Sequence, residues 1–111
     1  MYLIIKTSEE RIISQGSLFE AVRGHWRLDP AHASECTHAI AVVIGTKKVA
    51  DVYSIDMLYP STVCEGRYVF SGSRDDSLCE KLVGKTINPK LTARGLENPI
   101  LYVNEDELLE V

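Results

Sequence analysis

The chain has one tryptophan, and it stands among cations. In "EAVRGHWRLDP", residues 20–30, Trp26 follows Arg23 by three positions and precedes Arg27 directly. An arginine stacked on an indole makes a flat cationic platform for a base or an anion. Where a helix continues past Gly24, Arg23, Trp26 and Arg27 share one face, at i, i+3 and i+4. The competing use of a lone indole in a small domain is as a core anchor. Tryptophan is rarely buried completely, so both uses fit one side chain. Trp26 is therefore expected to lay one face on a sheet and to border, by an edge, a pocket rimmed by Arg23 or Arg27.

Three further groups of residues carry possible chemistry. Arg67 and Tyr68 in "GRYVFSG" pair a cation with an aromatic. Arg94, Asn98 and Tyr102 in "RGLENPILYV" offer a planar cation, an amide fork and a phenol, with Pro99 fixing the chain before a strand. The simpler role of Asn98 and Pro99 is to shape a turn. His25, His32, Cys36 and His38 lie within fourteen residues and have zinc-ligand chemistry. Structural zinc sites draw on two ligand pairs, and no second pair exists here. No metal is expected; Cys36 then reads as a small core residue and His32 as solvated.

Catalytic patterns are missing. The sequence holds no nucleophile elbow, no glycine-rich phosphate loop and no zinc-protease motif. Cys79 would need a depressed pKa and a nearby base to act as a nucleophile. Adjacent acids on a helix diverge by about 100°, so Asp75 and Asp76 suit a helix start better than a paired-carboxylate site. A non-catalytic role without a cofactor follows.

These residues sit in a chain of 111, read as one domain over 1–111. A domain of this size buries roughly two-thirds of its unfolded surface. The longest apolar run, Ala39 to Ile44, falls far short of the roughly 20 residues a membrane helix needs. The start "MYLIIKTSEER" has no basic n-region and no cleavage signal. Three cysteines, scattered and outside any CxxC, suit a reducing cytoplasm. The net charge of −4 opposes a broad grip on duplex nucleic acid. Four acids in "NEDELLEV", residues 104–111, account for all of it, so a local cationic patch is permitted.

The elements that must position the candidates are legible in outline. "YLIIK" predicts a strand at 2–6, and residues 14–17 a loop. Ser17 with Glu20 three residues on is a capping-box signature for a helix over 18–25, weakened by Gly24. Asp29 and Pro30 predict a second short helix. "HAIAVVIG" predicts a buried strand at 38–44, "GTKK" a hairpin turn and "KVADVYSID" the return strand, with a bulge near Ala50–Asp51. Residues 58–66 read as a loop and 67–71 as a strand. Acids early and Gly84 late frame a helix around Leu78 and Leu82. "NPKLTARGLENP" reads as irregular, "ILYV" as a last strand at 100–103, and Asn104 as the cap of a short turn. The sum is an α+β fold: a small curved, mainly antiparallel sheet with short helices, the 38–44/48–55 hairpin and strand 67–71 sharing one sheet.

Four stretches in order, "EAVRGHWRLDPAHASE", "AIAVVIGTKKVADVYSI", "GRYVFSG" and "LVGKTI…RGLENPILYVN", resemble a bacterial domain found near GIY-YIG nuclease domains. Its shape is similar to small barrels of the PUA and EVE type. The resemblance covers about residues 17–104. Neither nuclease tripeptide stands in this chain, so no nuclease activity is carried over. Met57, Leu58 and Tyr59 stand where a second tryptophan is usual. The resemblance implies a PUA-like barrel and a module that recognises nucleic acid or a nucleotide.

The reading that follows is a cytoplasmic binding module for a base or nucleotide. Trp26 and Tyr68 would stack; Arg23, Arg27, Arg67 and Arg94 would hold phosphate; Asn98 and Tyr102 would read a polar edge. The alternative is an interaction or assembly subunit using a sheet edge, the acidic C-terminus and exposed Leu108–Leu109. Neither reading needs a membrane.

Overall fold

The structure, a computed structural model, describes residues 1–94 and 99–109, with side chains described outside 92–94. The order is β1 (Tyr2–Thr7), α1 (Glu9–Gln15), α2 (Leu18–Arg23), α3 (Pro30–Ala33), β2 (His38–Val43), β3 (Val49–Ser54), β4 (Met57–Pro60), β5 (Tyr68–Ser71), α4 (Asp76–Leu82), α5 (Pro89–Arg94) and β6 (Ile100–Val103), with a 3₁₀ turn at Glu105–Glu107.

Four strands form a sheet in the order β3-β2-β1-β6, and β4 and β5 form a second, two-stranded sheet. β1 and β2 run parallel, Tyr2 opposite His38 and Thr7 opposite Val43. β6 on β1, β3 on β2, and β5 on β4 are antiparallel. The α+β class and the mainly antiparallel pairing agree with the sequence. Two details differ. The main sheet is open, with β3 and β6 as its edges. Strand 68–71 pairs with β4 rather than joining the sheet of the 38–43/49–54 hairpin. The hairpin carries the expected bulge, because Ala41 faces Asp51 while Val42 faces Val49, leaving Ala50 over.

β1 alternates poorly because both its faces are covered. Leu3 and Ile5 face a cluster with Val22, Trp26, Leu28, Ala33 and Phe70. Tyr2 and Ile4 face a second cluster with Ile40, Val52, Cys79, Ile87, Leu91 and Leu108. Elements from the first half of the chain and β5 thus pad one face. Elements of the second half pad the other. Leu108 is 1% exposed and Leu109 bridges Ile87, which corrects the expectation of an exposed leucine pair near the C-terminus.

The caps follow the sequence closely. The Ser17 side chain accepts from the Glu20 N–H, that of Asp29 from Ala31, and that of Asp75 from Leu78. Three elements were not visible in the pattern. α1 buries no residue, so no apolar stripe marks it, although Ser8 caps its start and Gly16, at φ 95°, its end. β4 contains Pro60, which a two-stranded edge tolerates. α5 begins at Pro89, where the Asn88 side chain accepts from the Lys90 N–H.

Beside β3 lies a polar cluster. The Asp51 carboxylate accepts from Arg74 Nε (2.8 Å), Tyr53 OH (2.9 Å), Cys79 Sγ (3.0 Å) and the Val52 N–H (3.1 Å). Burial pushes the Asp51 carboxyl up, but the hydrogen bonds from Cys79, Tyr53, Val52 and Arg74 outweigh it and hold the pKa below its ordinary value. Burial and the Asp51 acceptor push the Cys79 thiol up to about 11, the opposite of an activated nucleophile. A folded pKa below the unfolded one stabilises the fold above the unfolded value, and this stabilisation disappears as pH falls through the folded value. Acid unfolding should therefore show a loss below about pH 3.8 that Asp51→Asn lacks, the variant being less stable than wild type at neutral pH. Urea unfolding at pH 2.5–7 measures this; parallel profiles for the two proteins would refute the assignment.

Candidate functional site

Trp26 lies in the extended segment that leaves α2. Gly24 ends the helix where no side chain fits, since a Cβ there would sit 2.2 Å from Val69 Cγ1. The chain then runs beside β5. The Trp26 N–H donates to the Tyr68 carbonyl (3.0 Å), and the Tyr68 N–H donates to the Trp26 carbonyl (2.8 Å). Across this isolated bridge Arg67, the residue before Tyr68, reaches back to the residue before Trp26.

The indole is 7% exposed. Its Nε1–H donates to the Val22 carbonyl at 2.7 Å. The Arg11 guanidinium lies over the ring, 4.5 Å from its centroid. Arg11 also donates from Nε to the Ala21 carbonyl (3.2 Å) and from Nη2 to the Gly24 carbonyl, tying down the open end of α2. The expected pocket rimmed by Arg23 or Arg27 is thus corrected: the cation over the indole is Arg11, and Trp26 is closed as a stacking platform. α1 carries Arg11, and α1 showed no apolar period. The signal that could have found it is the cap pair Ser8 and Gly16 around "EERIISQ".

The other predicted residues divide. Arg67 donates from Nη1 to the His25 carbonyl (3.1 Å) and is half-buried. His25 Nδ1 lies 2.6 Å from Ser61 Oγ, which also accepts the N–H groups of Val63 and Cys64. Arg27 is exposed. Arg23 pairs with Glu20 (3.3 Å) and donates to Tyr59 OH (3.2 Å), so its charge is already partnered. Tyr68 is half-buried and packs against the inner cluster. Tyr102 OH accepts from the Asp29 N–H (2.9 Å), and its ring lies 5.2 Å from that of His32. Arg94 ends α5, whose Leu91 packs on the opposite sheet face from Tyr102; Asn98 lies outside the described residues. The arrangement therefore does not show Arg94, Asn98 and Tyr102 as one constellation.

The electrostatics single out the Trp26 region. Among the described residues Arg11, Arg27 and Arg67 pair with no carboxylate, whereas Arg23 and Arg74 do. Burial first, then the neighbouring Arg67 charge, hold the Arg11 guanidinium below its ordinary pKa. Arg11 and Arg67 donate to the consecutive carbonyls of Gly24 and His25, so two like charges share this turn with no described carboxylate paired to either, in a chain of net charge −4.

The zinc-type residues stay apart. His32 pairs with Asp29 and His38 with Asp75, each at 2.9 Å, and among the described residues no three His, Cys, Asp or Glu side chains gather as metal ligands. A groove of about 390 Å³ lies elsewhere, between Tyr2, Leu78, Leu82 and Leu108, and holds none of the predicted site residues. No described helix is long and apolar enough to cross a membrane.

Fold and site together define a small α+β domain with an arginine cluster around a sealed tryptophan. No family model, no curated protein and no solved structure matches the chain.

Proposed function

We propose that this domain is a non-catalytic cytoplasmic module that binds a nucleotide or a nucleic-acid strand at the arginine cluster around Trp26. The observation that carries the reading is the set Arg11, Arg27 and Arg67, none of which pairs with a carboxylate among the described residues. Guanidinium groups held near one another without acids repel, and an anion relieves that repulsion. Arginine presents planar donors that match phosphate oxygens. Three free cysteines support a reducing compartment.

A ligand that binds only the folded state raises its melting temperature. Nucleoside monophosphates and short single-stranded oligonucleotides at low salt should stabilise the domain by a few degrees, and nucleosides without phosphate should not. Differential scanning fluorimetry reads both; equal behaviour of nucleoside and nucleotide would count against a phosphate site.

A second reading, an assembly subunit, draws on Met57 and Val63, exposed at 65% and 73% on and beside the two-stranded sheet. Sedimentation showing mass that grows with concentration, together with no ligand effect on melting, would favour it.

A further inference from the structure

We infer, resting on the proposed nucleic-acid reading, that the domain grips a single strand by its phosphodiester backbone through Arg67 and Arg27, without stacking any base. The aromatic side chains around the cluster are already engaged. Trp26 has Arg11 over its ring and its N–H bonded to Val22. Tyr59 OH receives Arg23, and Tyr68 packs inward against the core. Base stacking needs an open aromatic face; Trp26 has none, and Tyr59 and Tyr68 are half-buried, one held at its hydroxyl by Arg23 and the other packed against the core.

The cations are placed differently. Arg67 is tethered by Nη1 to the His25 carbonyl, while among the described residues Nε and Nη2 have no hydrogen-bond partner. A guanidinium fixed at one corner loses less freedom when it binds, and its remaining edge is directed. Arg27 is exposed and has no described partner. Arg11 adds positive potential from behind, its Nε and Nη2 being bonded to the protein. Two or three cations cannot cover the charge density of a duplex, and the remainder of the chain is acidic. A single strand, with flexible backbone and lower charge density, suits a site of this size.

The test compares two fluorescein-labelled strands of ~12 residues, one of oligothymidine and one of equal length made of abasic units. Anisotropy titrations should give Kd values for the two within about twofold, whereas loss of even one stacked base would weaken the abasic strand about tenfold. The slope of log K against log salt should be about −1.4 to −2.1, as two or three phosphate contacts on a single strand require. Arg67→Lys keeps the charge and guards against misfolding; it should keep most of the salt slope but weaken binding, and Arg67→Ala should reduce the slope by about 0.7. An oligothymidine strand that binds while the abasic strand does not would overturn backbone-only recognition and leave the proposed function standing. Failure of both strands to bind would overturn the inference, and failure of nucleoside monophosphates as well, with the protein folded by circular dichroism, would remove the proposed function itself.

Discussion

Trp26→Ala is expected to cost about 3–5 kcal/mol of folding stability, a large share of what a domain of this size holds. The ring is 7% exposed and packs in the cluster with Leu3, Val22, Leu28 and Phe70. Its removal leaves a cavity, frees the Val22 carbonyl and uncovers the Arg11 guanidinium. Trp26→Phe keeps most of the packing and loses the Nε1–H bond, so about 1–2 kcal/mol is expected. Urea unfolding with unchanged m-values measures both. A Trp26→Ala protein within about 1 kcal/mol of wild type would show that the ring is not the anchor described here. Ligand binding separates the roles: Trp26→Phe should bind like wild type, because the indole supports the cations and does not touch the ligand.

Gly72→Ala should be comparably damaging for a different reason. A Cβ at Gly72 would fall 1.7 Å from the Ser54 carbonyl oxygen and 2.8 Å from its carbon. Both are backbone atoms and cannot swing aside. The segment after β5 is stitched to β3 there by Ser54 N–H to Ser73 O (2.8 Å) and Asp75 N–H to Val52 O (2.9 Å). Relief of the clash must pull these bonds apart, at a cost of about 3 kcal/mol or more. Gly45→Ala is the control. Nothing lies within 4 Å of its Cβ position, and only its left-handed φ of 99° opposes the change, by about 1–2 kcal/mol. Thermal melts should rank Gly72→Ala clearly below Gly45→Ala; the reverse order would contradict the close approach of β5 to β3.

What the sequence reveals of this fold is what local chemistry determines. Ser17, Asp29 and Asp75 announce their helices because an N-cap is a short-range hydrogen bond. "HAIAVVIG" announces a buried strand because six residues are apolar without a break. Sheet membership is different. Strand 68–71 has the same pattern whether it joins the main sheet or pairs with β4, and only long-range contacts decide. The parallel β1–β2 pair is equally hidden, since its crossover consists of three short helices, one of which buries nothing. The candidate site was legible in part. Arg27 and Arg67 are visible as exposed-type cations near aromatics. Arg11 is not, because its contact with Trp26 spans fifteen positions and depends on α1 folding back on α2. Arg23 reads as a free cation in the sequence, whereas in the fold Glu20, three residues away, pairs with its charge and Tyr59 accepts one of its donors.

The central claim is that the unpaired arginines hold an anionic strand. Its most direct test is an anisotropy titration of wild type and an Arg27→Ala/Arg67→Ala double variant with a labelled single strand of ~12 nucleotides at low salt. Lys85→Ala/Lys90→Ala, which removes the same formal charge from exposed positions after α4, is the control. The double arginine variant should bind at least about tenfold more weakly, and the lysine control within about threefold of wild type. Wild-type binding unchanged by loss of both arginines, or a folded wild-type protein that binds no strand at all, would contradict the claim and leave the assembly reading in its place.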